Sequence, residues 1–362
     1  MAITGNKGEW SEIYTLLKLL GEGEVYAGDQ NLNRILDLVY PIVSIIRQER
    51  EEKYKYSPIG SEIVIFKANG EELLRTPADV FLSQSEILLE KIKENDGAFS
   101  VPLIEEFMHR IYCNSLKAKS SDKTDIRIVL HDKRTRLNSE MGFSIKSQIG
   151  GNSTLLNASE ATNFTFKIVG VNLTNEEIES INRINPSRNK VIERYKAILR
   201  KGGRFQYSHI DNDVFERNIQ MLDGDMAHLV ASMLIVQLDE GISAFPQLIE
   251  TMSETNPLRF RGNNLLEIYT YKAKHLLTSA ALGMMPATLW TGRFDANGGY
   301  LVVKNDGDIV CYHFYDRNRF EDYLFTNAYL ERASTTRHKY AMVYKDLNGD
   351  LMFKLNLQNR LR

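Results

Sequence analysis

Two short stretches carry the residues of this chain best suited to chemistry. Residues 125–131 open with Asp125 and alternate Ile126, Ile128 and Leu130 with polar neighbours, the period of a half-buried strand. Residues 142–148 set Phe143, Ile145 and Ser147 against Ser144, Lys146 and Gln148 in the same way. The charged segment 132–141 reads as the connection of a hairpin. Folded about the middle of that segment, the hairpin brings Asp125 across from the end that carries Lys146 and Gln148 and strands Asp132 at the turn. A carboxylate beside a lysine at such an open end can hold a divalent metal and position a water for phosphodiester hydrolysis. Mg²⁺ takes oxygen ligands, keeps several waters and needs only one or two carboxylates. The lysine can orient or deprotonate the water and offset charge on the phosphorane. The same pattern fits a plain surface hairpin with a charged end, where Asp and Lys are common.

Length and composition bound the reading. At 362 residues and 43% hydrophobic composition the chain can bury substantial cores in two or three domains. No apolar run approaches the roughly 20 residues of a membrane helix, and the first residues lack the apolar core of a signal peptide. With only Cys113 and Cys311, neither a disulfide framework nor a cysteine zinc site is expected, and a reducing cytoplasm fits. A net charge of −2 argues against coating nucleic acid by bulk electrostatics, but the charge is uneven. Arg188, Lys190, Arg194, Lys196, Arg200, Lys201 and Arg204 face the single acid Glu193, Lys117, Lys119 and Lys123 lead into the hairpin, and Lys133, Arg134 and Arg136 lie in its turn. Each patch reads equally as a solvated face or as a phosphate contact.

The pattern predicts an amphipathic helix over 9–20, a second helix over 31–46 interrupted at Pro41, and a hairpin over 62–75 about Asn69 and Gly70. Helices follow near 84–94 and 103–113, then the 125–148 hairpin, a short helix or turn near 157–161 and a strand over 164–169. This is an α/β (α+β) unit with a mixed central sheet flanked by helices. From a capping box at Thr174 and Glu177 to about residue 282 the pattern is mostly helical. Beyond Pro286, strands over 300–304 with 309–315 and 338–344 with 351–357 form two hairpins around a helix near 319–326. The expected organisation is a catalytic domain at 1–175, a helical DNA-contacting region at 176–285 and a β-rich region at 286–362, the last two either separate or joined in one recognition domain.

Glu9 and Glu12 stand a turn apart at the start of the first helix, where negative charge also suits the helix dipole. Taken with the hairpin they resemble the PD-(D/E)XK nuclease superfamily. Glu12 matches its helix glutamate, Asp125 its strand aspartate, Ser144-Ile145-Lys146 its acid-x-lysine motif, and Gln148 a glutamine found in part of the superfamily. Residues 5–13, 142–147, 154–159 with 162–164, 299–304, 311–313, 334–338 and 353–358 together resemble the HpaII family of type II restriction endonucleases. That resemblance spans nearly the whole chain. It implies Mg²⁺-dependent double-strand cleavage of DNA at a short palindrome, CCGG for the namesake, with a companion methyltransferase protecting the host. The departure is Ser144, which cannot supply an anionic metal ligand. The resemblance implies that Asp125 and the Ile145 backbone carbonyl bind Mg²⁺, with Glu160, Glu12 or Gln148 making up for the missing acid, and that Lys146 orients the water. Ser144 also leaves open a DNA-binding protein on an inactivated nuclease fold, and the metal site alone would serve a structure-selective repair nuclease.

Reading a palindrome calls for two copies of the chain or for two sequential nicks. Asn152, Ser153 and Thr154, and the cluster around Arg337 and His338, are loop-like and carry base-reading chemistry, Arg337 foremost because arginine matches guanine O6 and N7. A loop held by its own hydroxyl hydrogen bonds fits the latter cluster too. Arg200, Lys201 and Arg204 are the candidate backbone contacts. His313 and His338 sit in strand-like segments with no metal-spaced partners, and His313 reads as structural.

Overall fold

The computed structural model describes residues 3–49, 52–117, 124–185 and 189–362. Lys119, Lys123 and Arg188 lie outside them. The chain forms two compact units, each drawn from separate stretches: residues 1–153 with 294–323, and residues 154–293 with 324–362. Among the described residues no single helix is long and apolar enough to cross a membrane.

The first unit is built on the helix Lys7–Glu22. Asn6 starts it with a capping box, its side chain taking the Glu9 N–H at 3.0 Å while the Glu9 carboxylate takes the Asn6 N–H at 2.8 Å. Gly23, in the left-handed region, ends it. Its buried face, with Trp10, Ile13, Tyr14, Leu17 and Leu20, belongs to the core of the unit. That core lies on a nine-stranded mixed sheet ordered Glu24–Gly28, Ile309–His313, Gly299–Val303, Leu137–Ser147, Ile126–Asp132, Arg34–Gln48, Lys53–Ile59, Glu62–Lys67, Glu72–Pro77. Glu24–Gly28 also pairs with Arg34–Gln48, so the first six strands close on themselves.

Arg34–Gln48 corrects the helix expected at 31–46. From Leu38 to Ile46 only Ser44 interrupts the apolar residues, so periodicity does not separate helix from buried strand. The β-branched and aromatic content favours the strand. Pro41, which would break a helix, stands opposite Glu24 at the start of the neighbouring strand. The hairpins expected about Asn69-Gly70 and Asp306-Gly307 are present. At the second of these, Gly307 has φ +92°, and a Cβ there would stand 2.4 Å from Leu89. The hairpin's first strand, Gly299–Val303, lies parallel to Leu137–Ser147, so chain expected in the C-terminal region joins the sheet of the first unit.

The second unit holds an antiparallel sheet ordered Arg204–Ile210, Asn163–Val169, Leu351–Asn356, Val343–Lys345, and a smaller one of Thr154–Leu156, Asn359–Leu361 and Ala328–Leu330. The strand Arg204–Ile210 interrupts the stretch expected to be mostly helical; its alternation of half-buried and exposed residues marks a one-sided strand. Helices Asn175–Arg183, Lys190–Arg200, Asp213–Leu222, Met226–Asp239, Phe245–Thr255 and Leu265–Leu282 make up the rest of that stretch. Thr174 and Glu177 form the capping box expected of them.

Candidate active site

The hairpin runs in antiparallel register from Ile126 opposite Phe143 to Asp132 opposite Leu137. It turns within residues 133–136, earlier than expected, because Asp132 caps the turn: its side chain takes the Arg134 N–H at 2.8 Å and its carbonyl the Arg136 N–H at 2.7 Å. The early turn moves Asp125 opposite Ser144 rather than the end bearing Lys146 and Gln148. The Asp125 N–H donates to the Phe143 carbonyl at 2.9 Å, and its carboxylate accepts from the Ser144 hydroxyl at 2.9 Å and the Ile145 N–H at 2.7 Å. Thr124 beside it is buried and donates to the Asp295 carbonyl at 3.0 Å. A Cβ on Gly142 would come within 2.6 Å of the Thr124 hydroxyl, so a glycine lets the strand end close this tightly.

Lys146 follows Ser144 by two and therefore shares its face of the strand. Its ammonium lies 5.0 Å from the centre of the buried Tyr300 ring, in cation–π reach. Burial holds the Lys146 amine below its usual pKa, against the charges of Asp125 and Glu12, which raise it. Gln148, half-buried, donates its backbone N–H to the Val303 carbonyl at 2.9 Å.

Glu12 reaches the same place from the helix. The neighbouring Ser11 hydroxyl lies 2.9 Å from the Ser147 hydroxyl, which ties this turn of helix to the strand bearing Lys146. Burial, then the charge of Asp125, pushes the Glu12 carboxyl up to about 8, while Lys117 and Arg47 pull the other way. Glu9 is occupied differently. Burial raises its carboxyl, but the Asn6 amide and Lys117, at 3.1 Å, outweigh that and hold it low. Arg47 is buried against Glu49 at 2.6 Å and bonds the Ser115 carbonyl, anchoring the segment that carries Lys117. Asp125, Lys146 and Glu12 thus interact in one place, with Ser144 and Ile145 fixing the aspartate.

Several of the other expected residues belong to the second unit. Glu160 belongs to the second unit, exposed, and pairs with Lys339 at 2.9 Å. Among the described residues no group of three or more His, Cys, Asp or Glu is gathered to hold a metal. Asn152 is exposed, Ser153 donates to the Ser147 carbonyl at 3.1 Å, and Thr154 opens the strand Thr154–Leu156. In the second unit Lys201 pairs with Glu177 at 2.6 Å, Arg200 lies 3.6 Å from Glu193, and Arg204 begins an exposed-faced strand. Arg337 and His338 sit on the short helix Thr335–His338, not on the strand expected for His338; Ser334 caps that helix, which closes before the strand Val343–Lys345 begins. Arg337 is exposed, and burial with the Arg337 charge keeps His338 below its usual pKa. His313 is buried and accepts the Tyr315 N–H at 3.0 Å; burial pushes its imidazole down to about 4, as suits a structural histidine.

The sequence shows Tyr300 only as an aromatic that could stack on a base or fill the core, not as the ring under Lys146, and gives no sign of Arg47 beneath the Lys117 segment. Tyr300 sits in an unbroken apolar run that signals only a buried strand, and its meeting with Lys146 depends on pairing across more than 150 residues of chain.

A carboxylate pair beside a desolvated lysine at a strand end is what an enzyme that cleaves phosphodiesters calls for. The family model of the HpaII restriction endonuclease matches residues 6–361. The chain is 40% identical over 359 residues, 99% of its own length and 98% of the relative's, to the Type II restriction enzyme HpaII of Haemophilus parainfluenzae. It therefore belongs to the HpaII restriction endonuclease family, type II enzymes that cut DNA site-specifically. No solved structure matches it.

Proposed function

We propose that the chain makes Mg²⁺-dependent double-strand cuts at a short palindrome, CCGG, through a PD-(D/E)XK-type site formed by Asp125, Lys146 and Glu12. The observation that carries this reading is the electrostatic meeting of those three groups, from a helix and two strands, in a chain of this family. The donor set suits a dication: the charge of Asp125 raises the proton affinity of Glu12, and a divalent cation between the two carboxylates would remove that repulsion. Asp125 would hold Mg²⁺ with the carboxylate oxygen not taken up by Ser144 and Ile145. The N–H and carbonyl of one strand residue project to the same side, so the Ile145 carbonyl points with its N–H towards Asp125, past the end of the Ile126–Asp132 strand. Glu12 is our choice over Glu160 and Gln148 to complete the ligands, because its proton affinity already responds to Asp125.

When bound, Mg²⁺ supplies positive charge against the phosphate oxygens and lowers the pKa of a coordinated water. Ser144 does a different job from the acid it replaces: its hydroxyl donates to Asp125 and fixes the carboxylate. Lys146, its proton affinity lowered by burial and its Nζ held over Tyr300, orients the attacking water and, as the neutral amine, takes its proton at Nζ. In-line attack forms the new P–O bond as the bond from phosphorus to the 3′ oxygen breaks, and that oxygen takes a proton from solvent water, leaving a 5′-phosphate and a 3′-hydroxyl. A companion cytosine methyltransferase protects the host, and two copies of the chain act on the two half-sites.

Incubation with unmethylated phage DNA and Mg²⁺, with EDTA and CCGG-methylated controls, followed by sequencing of fragment ends, tests this. Discrete ends at CCGG that vanish in both controls are expected. A different palindrome would overturn the specificity, and no cleavage with any divalent metal would favour a binding protein on an inactivated fold. Arg337, exposed and fitted to guanine, is assigned to base reading. Arg337→Ala is expected to weaken cognate binding by about 1–3 kcal/mol while barely changing affinity for random DNA. An equal loss on both, in a fluorescence anisotropy titration, would make it a phosphate contact.

A further inference from the structure

The second unit carries a groove of about 520 Å³ lined by Arg183, Lys190, Arg194, Lys339, Thr335 and Thr336, among others, with no acid among the described residues that line it. Its floor is unusual. Arg194 is only 5% exposed and gives its guanidinium to the carbonyls of Asn182, of Ile184 at 3.0 Å and of Ala341 at 2.7 Å. Its Nη1 also reaches the Met342 sulfur at 2.8 Å, and among the described residues no ion pair joins Arg194 to a carboxylate, so a buried cation is balanced by neutral acceptors alone. Charge held without a counter-ion in a low-dielectric wall projects its field into the groove above it.

The cations at the rim are free to change partners. Arg183 pairs with Glu179 and Lys339 with Glu160, but all four side chains are more than half exposed, and such pairs are worth about 0–1 kcal/mol. Thr335 and Thr336 add hydroxyl donors that suit phosphate oxygens. A phosphate arriving at the rim gains the field of Arg194 and forfeits little by displacing Glu179 or Glu160.

We propose that this groove seats the sugar–phosphate backbone of duplex DNA, with Arg183, Lys190 and Lys339 on the phosphates. The inference rests on the chain's membership of a DNA-cutting family and adds where the second unit grips its substrate. Arg337 projects from the same short helix that supplies Thr335 and Thr336, so contact in the groove would also fix the register in which Arg337 meets bases.

Binding of labelled cognate and random duplexes by the full chain, in EDTA and over a salt series, tests it. For the Lys190→Gln/Lys339→Gln double variant, affinity for both duplexes should fall by about tenfold or more, with the slope of log K against log salt shallower by about 1–2. Arg183→Gln, at a side chain 79% exposed, should act in the same direction without threatening the fold. Wild-type affinity and slope in both variants would overturn the proposal, as would a loss confined to the cognate duplex, which would mean base reading. Inorganic phosphate at matched ionic strength should not displace the duplex; displacement at low millimolar phosphate would mark a free-anion site instead. If the wild-type chain itself bound neither duplex, the DNA-cutting reading would fall first and the groove with it.

Discussion

Asp125→Asn is expected to slow cleavage at least about 10³-fold while leaving duplex binding within a few-fold. The substitution removes the anion but keeps an oxygen that can accept from the Ile145 N–H, so the strand end should hold its shape. Asp125→Ala removes the acceptor as well, leaving the Ile145 amide and the buried Ser144 hydroxyl without it, at a cost of about 1–3 kcal/mol. Comparing the two separates catalysis from stability: both should be inactive, and only the alanine variant should melt clearly lower. Lys146→Ala should be as inactive as Asp125→Asn. Lys146→Arg keeps a cation over Tyr300 yet cannot accept a proton, because a guanidinium does not deprotonate. Inactivity of Lys146→Arg assigns proton transfer to Lys146, whereas substantial retained activity assigns it charge alone. Wild-type cleavage by both Asp125→Asn and Lys146→Ala would remove this place from consideration as the active site.

The parts of this site visible in the sequence are those fixed by local pattern. Alternation about Ile126, Ile128 and Leu130 marks one strand, and the helical spacing of Trp10, Ile13, Leu16, Leu17 and Leu20 marks the helix that carries Glu12. What local pattern leaves open is register. Asp132 turns the chain earlier than the length of the polar connection suggests, and Asp125 meets Ser144 in consequence. That gives Ser144, which looks like a lost ligand in the bare motif, a hydrogen-bonding task that can be seen only in three dimensions. The strand Arg34–Gln48 fails to declare itself for another reason: from Leu38 to Ile46 it is apolar but for Ser44, too nearly continuous to show a period. Tyr300 needs still more, a parallel pairing that closes only when the end of the sheet is assembled.

Glu12 offers the other large effect, and stability and activity should move in opposite directions. In the metal-free protein its carboxyl titrates near 8 instead of the ordinary 4.5. Between those values the folded protein keeps a proton that the unfolded chain has released. Stability from this group is therefore complete below about pH 4.5 and is lost as pH rises towards 8, by at most about 1.4 kcal/mol per pH unit. Glu12→Gln stays neutral throughout. In EDTA it should melt with the wild type near pH 5 and clearly above it at pH 8, yet cleave at least about 10²-fold more slowly because a ligand is gone. Mg²⁺ should reverse the order of stability. Binding needs the ionised carboxylate, so the Mg²⁺-induced rise in Tm of the wild type should grow from pH 5 to 8, while Glu12→Gln gains little at any pH. Glu160→Gln should follow the wild type in all of these scans, since Glu160 is not among the charges that act on Glu12 or Lys146. If Glu160→Gln instead lost the Mg²⁺ response and Glu12→Gln kept it, Glu160 would be the acid that completes the site, and the raised proton affinity of Glu12 would reflect only its burial beside Asp125.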